Sequence, residues 1–132
     1  MITDISEFKR LIKDTYPDVI ETGNGVFLLP VESLMLTIAC VSNESDRIVF
    51  RTKIESLDNI KRVGDLSLAA LKGNFFWSGT DGAKLSIGPD NALYLTELRL
   101  VSEFVDDSAL TSAVSEYVNT VSDWKIRSQQ YA

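Results

Sequence analysis

Histidine is absent from this chain of 132 residues, and cysteine occurs once, as Cys40. Without histidine there can be no Ser-His-Asp or Cys-His nucleophilic site and no histidine-bearing zinc site. A single cysteine excludes an internal disulfide and a cysteine-based zinc site. Because Cys40 lies in an apolar run, the sequence predicts a buried free thiol and not a reactive one.

Long apolar runs and a basic surface are also lacking. No stretch approaches the about 20 apolar residues of a membrane span. The first residues, Met1-Ile2-Thr3-Asp4, are polar and acidic, which argues against a secretory signal. A formal net charge of −6 argues against nucleic acid or an anionic membrane as the main partner. We therefore expect a cytoplasmic protein.

The composition is that of an ordinary globular protein. Hydrophobic residues make up 45% of the chain and charged residues 24%, with only three prolines. A chain of this length suits one domain, residues 1–132, and can bury enough surface to fold without a metal or a disulfide.

Apolar residues at helical spacing predict a first helix from Ile5 to about Thr15. Asp4 is its expected cap, and Tyr16-Pro17 ends it because the residue before proline is disfavoured in the helical region. A turn at Gly23-Asn24-Gly25 and a short strand then follow. That strand is expected over Val26 to Leu29, ended by Pro30.

The strongest strand signal of the chain is the stretch from Ser33 to Ile54. Leu34, Leu36, Ile38 and Cys40 share one face of a strand. A turn at Asn43-Glu44-Ser45-Asp46 leads to a return strand. The apolar face of the return strand carries Ile48, Phe50, Thr52 and Ile54.

The second half predicts two helices around a hairpin. Asp65 is the expected cap of a short apolar helix, Leu66 to Leu71, with Gly73 as the residue that ends it. The alternative is an earlier start of this helix, near Leu57. A hairpin follows around Pro89-Asp90-Asn91. The last helix runs from about Asp107 to Arg127, with Asp106 or Asp107 as its N-cap. An apolar stripe on it includes Leu110, Val114, Tyr117, Val118, Val121 and Trp124.

The resulting order is α-β-β-β-α-β-β-α, an α+β fold in which helices pack on a twisted, mainly antiparallel sheet. The second strand of the hairpin is apolar on both faces in its first half. Leu93 and Leu95 lie on one face, and Ala92 and Tyr94 on the other. We expect the last helix to cover one side, and the short second helix, with a copy from another subunit, to cover Leu93 and Leu95.

The remaining polar motifs predict no catalytic, cofactor or metal site. Gly23-x-Gly25 and Gly79-x-x-Gly82 lack the lysine and the strand-to-helix setting of a phosphate loop, so both are expected to be turns. Asp106-Asp107 suits a helix start. Residues 43–46 offer too few oxygens for calcium. What remains is apolar surface, which is either core or an interaction site, and the residues alone leave both possibilities open.

The second half also resembles a known family. Its features are the Leu66 to Leu71 helix, the Asn74-Phe75-Phe76 step, the glycine-rich turn at 79–82, the strand Leu85 to Pro89, and the leucine-rich strand Leu93 to Leu100. A long amphipathic helix with a late Trp124 completes it. Over roughly residues 64–127 this resembles the specialised chaperones of type III secretion, the Tir chaperone (CesT) family.

The resemblance implies a bacterial cytoplasmic homodimer that acts without a cofactor. It would bind the non-globular N-terminal segment of a secreted effector and keep it soluble and competent for secretion. The resemblance places the dimer interface on the second helix and the last strands. The positions expected there are Leu66, Ala69, Ala70, Phe75, Phe76, Leu93 and Leu95.

The effector segment is expected to bind away from that interface, on the first helix and the first three strands. The candidate positions are Phe8, Ile12, Val26, Leu28, Met35 and Val49. The alternative is a regulatory or adaptor domain of the same fold that binds a folded partner. Neither hypothesis calls for nucleic acid, a membrane or a small-molecule substrate.

Overall fold

The structure, a computed structural model, describes residues 4–23, 25–40, 46–76 and 83–132. Six strands form one antiparallel sheet in the order β1-β2-β3-β4-β6-β5, together with three α-helices, which confirms the predicted α+β class. The elements are α1 (Ile5–Thr15), β1 (Ile20–Gly23), β2 (Val26–Val31), β3 (Leu34–Cys40), β4 (Arg47–Ser56), α2 (Val63–Phe76), β5 (Lys84–Ile87), β6 (Ala92–Leu100) and α3 (Asp107–Gln129).

Two compact units make up the chain. Unit 1 comprises Met1–Phe50 and Leu98–Glu116, and unit 2 comprises Arg51–Glu97 and Tyr117–Ala132. The predicted glycine-rich turn at 79–82, most of the predicted turn at 43–46, and Trp77 lie outside the described residues, as does the side chain of Phe76.

Helix α1 begins and ends where the sequence predicts. The Asp4 carboxylate accepts a hydrogen bond from the Glu7 amide at 2.9 Å, which satisfies one of the free donors of the first turn. The Tyr16 amide donates to the Ile12 carbonyl at 2.9 Å and closes the last turn. Residues at helical spacing form the buried face: Ile5, Phe8 and Ile12.

The core of unit 1 is built around aromatic rings. The ring of Phe104 lies 5.2 Å from that of Phe8 and 6.2 Å from that of Phe50, centroid to centroid. Tilted rings at this separation are favourable beyond their buried area. Alternate residues of the strands complete the core of this unit: Phe27, Leu29, Leu34, Leu36, Ile38 and Ile48.

Two features of unit 1 differ from the sequence prediction. The structure has an additional short strand, β1, whose four residues are all exposed and therefore carry no alternation to detect. Strand β2 also continues through Pro30 to Val31. Strand β1 pairs with β2 only as far as Leu28, so Pro30 lies on a stretch that β1 does not reach, where a missing amide donor is tolerated.

Helix α2 of unit 2 is longer than predicted. It starts at Val63, between the two predicted starts, so Asp65 lies in its first turn and is not its cap. It also passes through Gly73, which is buried within the helix, so the prediction that Gly73 ends the helix was wrong. A buried glycine inside a helix costs up to about 1 kcal/mol relative to alanine, a cost that local packing can offset.

Asn74 joins α2 to the edge strand β5. Its side-chain oxygen accepts from the Leu85 amide at 2.8 Å, and its side-chain nitrogen donates to the Leu85 carbonyl at 2.9 Å. One amide side chain thus engages both backbone groups of a residue on a terminal strand of the sheet. This explains in physical terms why an asparagine stands at this point of the sequence.

The predicted hairpin is confirmed. Strands β5 and β6 pair antiparallel, with Leu85 opposite Leu95, and the turn closes with hydrogen bonds between Gly88 and both Asn91 and Ala92. Asn91 adopts a φ of 58°, a left-handed conformation that asparagine tolerates. Helix α3 contributes the buried Tyr117, whose hydroxyl donates to the Leu95 carbonyl at 2.6 Å.

We predict that Asn74→Ala lowers the free energy of unfolding by about 1–3 kcal/mol, because both Leu85 groups lose their partner. The Leu85 amide should also exchange its hydrogen faster. Urea denaturation and hydrogen exchange measure the two effects. Asn119→Ala, at an exposed position of α3, is the control. Equal stability and equal Leu85 exchange in both variants would contradict the role given to Asn74.

Candidate functional site

The outward-facing residues of β2 and β3 form an apolar surface, which we call the outer face of unit 1. In β2 the side chains of Phe27 and Leu29 are buried, and in β3 those of Leu34, Leu36 and Ile38 are buried. Successive strand residues point to opposite sides, so the residues between them face outward. The outer face comprises Val26, Leu28, Pro30, Met35, Thr37 and Ala39, all exposed or half-buried.

The register makes this face continuous. Val26 lies opposite Ala39, Leu28 opposite Thr37, and Pro30 opposite Met35. Directly opposed side chains in antiparallel strands have Cβ atoms about 4.5–5.5 Å apart, which is contact distance. Ile20 on β1 lies opposite Leu28 and extends the same row to the terminal strand. The outer face is therefore one apolar surface that reaches an edge of the sheet.

An ion pair holds that edge to helix α1. Lys13 Nζ lies 3.1 Å from Glu21 Oε1, and the Gly25 amide donates to Glu21 Oε2 at 3.2 Å. The Lys13 hydrogen bond, and next the Gly25 amide, hold the pKa of Glu21 below its ordinary value. This exposed ion pair therefore weakens only when the pH falls through the lowered pKa of Glu21.

The structure groups the predicted effector-binding residues into two sets. Val26, Leu28 and Met35 share the outer face, and Val49 faces outward from β4 between the buried Ile48 and Phe50. The other two predicted positions have no accessible surface, because α1 packs them into the core: Phe8 and Ile12. Contact of these two with a partner would need the core to open, so the structure corrects the expectation that they lie on the surface.

Unit 2 carries a second exposed apolar surface, on α2. Leu68 is 52% exposed, Leu71 66% and Phe75 82%. Their spacing of three and four residues places them on one side of the helix. We call them the α2 stripe. Phe75 is among the predicted interface positions, but Leu68 and Leu71 are not, because a helix that is apolar on nearly every side gives no periodic signal that separates its outside from its inside.

Most of the predicted dimer positions are covered within one protomer. Leu66, Ala70, Leu93 and Leu95 are buried in the single chain. Their apolar character therefore needs no second subunit to explain it, which corrects the argument from the hairpin. Of the others, Ala69 is half-buried and Phe75 is exposed.

Neither a metal-binding group nor a membrane-spanning helix is found among the described residues. Among them, no group of three or more acidic or cysteine side chains could hold a metal ion. None of the helices in the described part of the chain is long and apolar enough to cross a membrane. Cys40 is half-buried, and burial raises the pKa of its thiol, which keeps it in the unreactive protonated form.

A sequence model of the Tir chaperone protein (CesT) family matches residues 12–125. No curated protein sequence matches the chain.

Solved structures share the fold at low sequence identity. A chain of the HopA1–SchA chaperone–effector complex has a TM-score of 0.70 at 14% identity, over 93% of this chain and 98% of that one. A chain of the ExsC–ExsE complex has a TM-score of 0.75 at 11% identity, over 93% and 95%. YbjN, a putative transcription regulator from E. coli, has a TM-score of 0.63 at 14% identity, over 98% and 94%.

We predict opposite outcomes for two adjacent residues of β3. Met35→Gln, on the outer face, should change the free energy of unfolding by no more than about 0.5 kcal/mol. Leu36→Ala, in the core, should cost about 2–5 kcal/mol because it leaves a cavity. Urea denaturation of both variants measures the difference, and a large loss for Met35→Gln would show that this face is covered.

Proposed function

Because the chain belongs to the Tir chaperone protein (CesT) family, we propose that it is a type III secretion chaperone that binds a non-globular segment of an effector. On this proposal it acts by binding alone, in the bacterial cytoplasm, and keeps the effector soluble and competent for secretion. Chaperone–effector assembly is also what the HopA1–SchA structure is named for.

The observation that carries the proposal is the outer face of unit 1. Its opposed pairs present apolar side chains in rows on the outward side of the sheet, with Met35 51% exposed. An extended segment laid on such a surface would bury apolar side chains, at about 25 cal/mol for each Å² removed from water. The ordering of the segment opposes this gain, so several such contacts are needed together.

The terminal position of β1 favours an extended ligand. Strand β1 ends the sheet, and Ile20 continues the apolar row of the outer face to that edge. An extended segment at a sheet edge can form backbone hydrogen bonds while alternate side chains enter neighbouring pockets. This geometry suits a non-globular segment better than the curved surface of a folded protein.

We predict that the double variant Leu28→Asp/Met35→Asp loses the copurified effector, because two buried carboxylates would be left without partners in the complex. The measurement is affinity purification from the native host followed by mass spectrometry. Ile126→Asp, at an exposed apolar position of α3, is the matched control and should retain the effector. Equal recovery with all three proteins would contradict the placement of the site.

We also propose that the chain forms a homodimer through the α2 stripe. Leu68, Leu71 and Phe75 present large apolar side chains on one side of one helix, and such exposed apolar patches mark interaction sites. A two-fold axis would place the same stripe of a second copy against them, since the interface of a symmetric dimer uses one surface patch twice.

We predict that Leu71→Asp gives a monomer, because a buried carboxylate at the interface would have no partner. Lys72→Asp is the control, since it introduces the same group at the adjacent exposed position. Sedimentation velocity reports the mass of each protein. A Leu71→Asp protein that still sediments as a dimer would place the interface elsewhere, while leaving effector binding by the outer face open to its own test.

A regulatory or adaptor domain of the same fold remains the second candidate. The likeness to YbjN, a putative transcription regulator, over 98% of this chain favours it. The two functions differ in the state of the partner. A chaperone holds a segment that is sensitive to protease outside the complex, whereas an adaptor binds a partner that is folded and resistant before binding.

A further inference from the structure

Unit 2 carries a group of basic side chains on the outward side of its strands. On β4 the exposed Arg51 and Lys53 alternate with the buried Thr52 and Ile54. On β5 the exposed Lys84 precedes the buried Leu85. Strand β6 lies between β4 and β5 in the sheet. We call Arg51, Lys53 and Lys84, together with the β6 residues between them, the basic face of unit 2.

The residues of β6 at the centre of this face are Tyr94 and Thr96. Thr96 lies opposite Lys84, and Tyr94 lies opposite Ser86, so they share the side of the sheet that Lys84 occupies. Arg51 and Lys53 alternate with buried residues of β4, as Tyr94 and Thr96 alternate with the buried Leu95 of β6, which indicates the same outward side. Arg51 and Lys53 on β4 and Lys84 on β5 therefore flank Tyr94 and Thr96 on the strand between them.

Tyr94 is held in a fixed position on this face. Its hydroxyl donates to Asp90 Oδ2 at 2.5 Å. Its ring lies against Gly88 so closely that a Cβ on Gly88 would stand 2.8 Å from Tyr94 Cε2. A side chain at position 88 would therefore displace the ring. The Tyr94 ring therefore has a defined position beside the cations.

The acidic groups near this face do not neutralise all three cations. Asp90 is occupied by the Tyr94 hydroxyl and attracts Lys53. Glu55, next along β4, accepts hydrogen bonds from Asn59 and Gln129. Among the described residues, neither Arg51 nor Lys84 has a carboxylate oxygen within 4 Å of its charged nitrogens. Positive charge thus stays exposed on a chain with 19 acidic and 13 basic residues.

We propose that the basic face of unit 2 binds an acidic stretch of a partner polypeptide in extended form. This inference rests on the proposed function, because it takes the partner to be the same extended chain that the outer face of unit 1 binds. It adds that a second part of the partner polypeptide carries Asp or Glu residues that alternate with neutral ones.

The spacing of the cations supports an extended acidic peptide. Arg51 and Lys53 are two residues apart on one strand, so their Cα atoms are about 6.5–7 Å apart, the spacing of alternate residues in an extended ligand. Lys84 stands two strands away, about 9.5 Å across the sheet. A ligand with acids at alternate positions can therefore meet two cations along β4 and place a further acid toward β5.

The charge of the whole chain favours a short acidic stretch over a polyanion. A net charge of −6 repels nucleic acid and anionic membranes, whose binding requires many phosphate contacts. Three cations on one sheet face are enough to pair with the few carboxylates of a short acidic peptide. Such exposed contacts add specificity and speed association more than they add affinity.

The direct test is an NMR titration of the full chain with a short synthetic peptide of alternating Glu and Thr. Amide shifts at Arg51, Lys53, Lys84 and Tyr94 are expected, and they should weaken with added salt. The same peptide with Gln in place of Glu should not shift them. Shifts of equal size with the Gln peptide, or none at these residues with the Glu peptide, would overturn the proposal.

Variants separate this surface from the fold. The triple variant Arg51→Ser/Lys53→Ser/Lys84→Ser should bind the Glu peptide about tenfold more weakly, since three exposed charge contacts are lost. Lys61→Ser/Lys72→Ser, which removes exposed cations away from the sheet, should bind like the unaltered chain. A triple variant that remains folded and binds unchanged would overturn the proposal.

Two further probes distinguish other ligand classes and the proposed function. Tighter binding of duplex DNA or phosphatidylserine vesicles than of the Glu peptide, lost in the same triple variant, would assign the face to a polyanion and overturn the proposal. If the copurified partner is recovered equally with the triple variant and the unaltered chain, the proposed role of the basic face is contradicted, whereas the proposed chaperone function is not. If no partner is recovered with the unaltered chain, the proposed function fails, and the peptide titration still decides the basic face.

Discussion

Strict alternation along β2 and β3 is the constraint on which this account depends. Because successive strand residues point to opposite sides, the packing of Phe27, Leu36 and Ile38 into the core forces Leu28 and Met35 to face outward. A shift of one residue would exchange the two sets. The core of unit 1 and its candidate binding surface are therefore fixed together, and neither can change register alone.

The elements that were predicted correctly are those with a local signal in the sequence, such as a helix cap, an apolar run or a turn. Asp4 and Tyr16 mark the ends of α1, an apolar run marks β3, alternation marks β4, and Pro89-Asp90-Asn91 marks the turn of the hairpin. The short strand β1 escaped detection because its residues are all exposed, so that no alternation of burial distinguishes them. The end of α2 was misplaced because Gly73 is a helix-ending residue by preference, and its burial inside the helix depends on packing that the sequence does not reveal.

The sites were predicted less completely, for one physical reason. Periodicity identifies the apolar face of an element but not what covers it. For α1 that face is covered within the protomer, so Phe8 and Ile12 are core. Strands β2 and β3 are apolar on both sides, and the structure buries one side while Val26, Leu28 and Met35 face outward. Leu93 and Leu95 are likewise covered within the protomer, whereas Leu71 on α2 faces outward.

The most direct test of the central claim is site-specific photo-crosslinking in the native host. A photoreactive phenylalanine analogue would replace Met35 on the outer face or, as the control, Ile126 on α3. We predict an adduct from position 35 to an extended, apolar segment of a secreted protein, and little from position 126. Adducts of equal yield from 126, or none from 35, would contradict it.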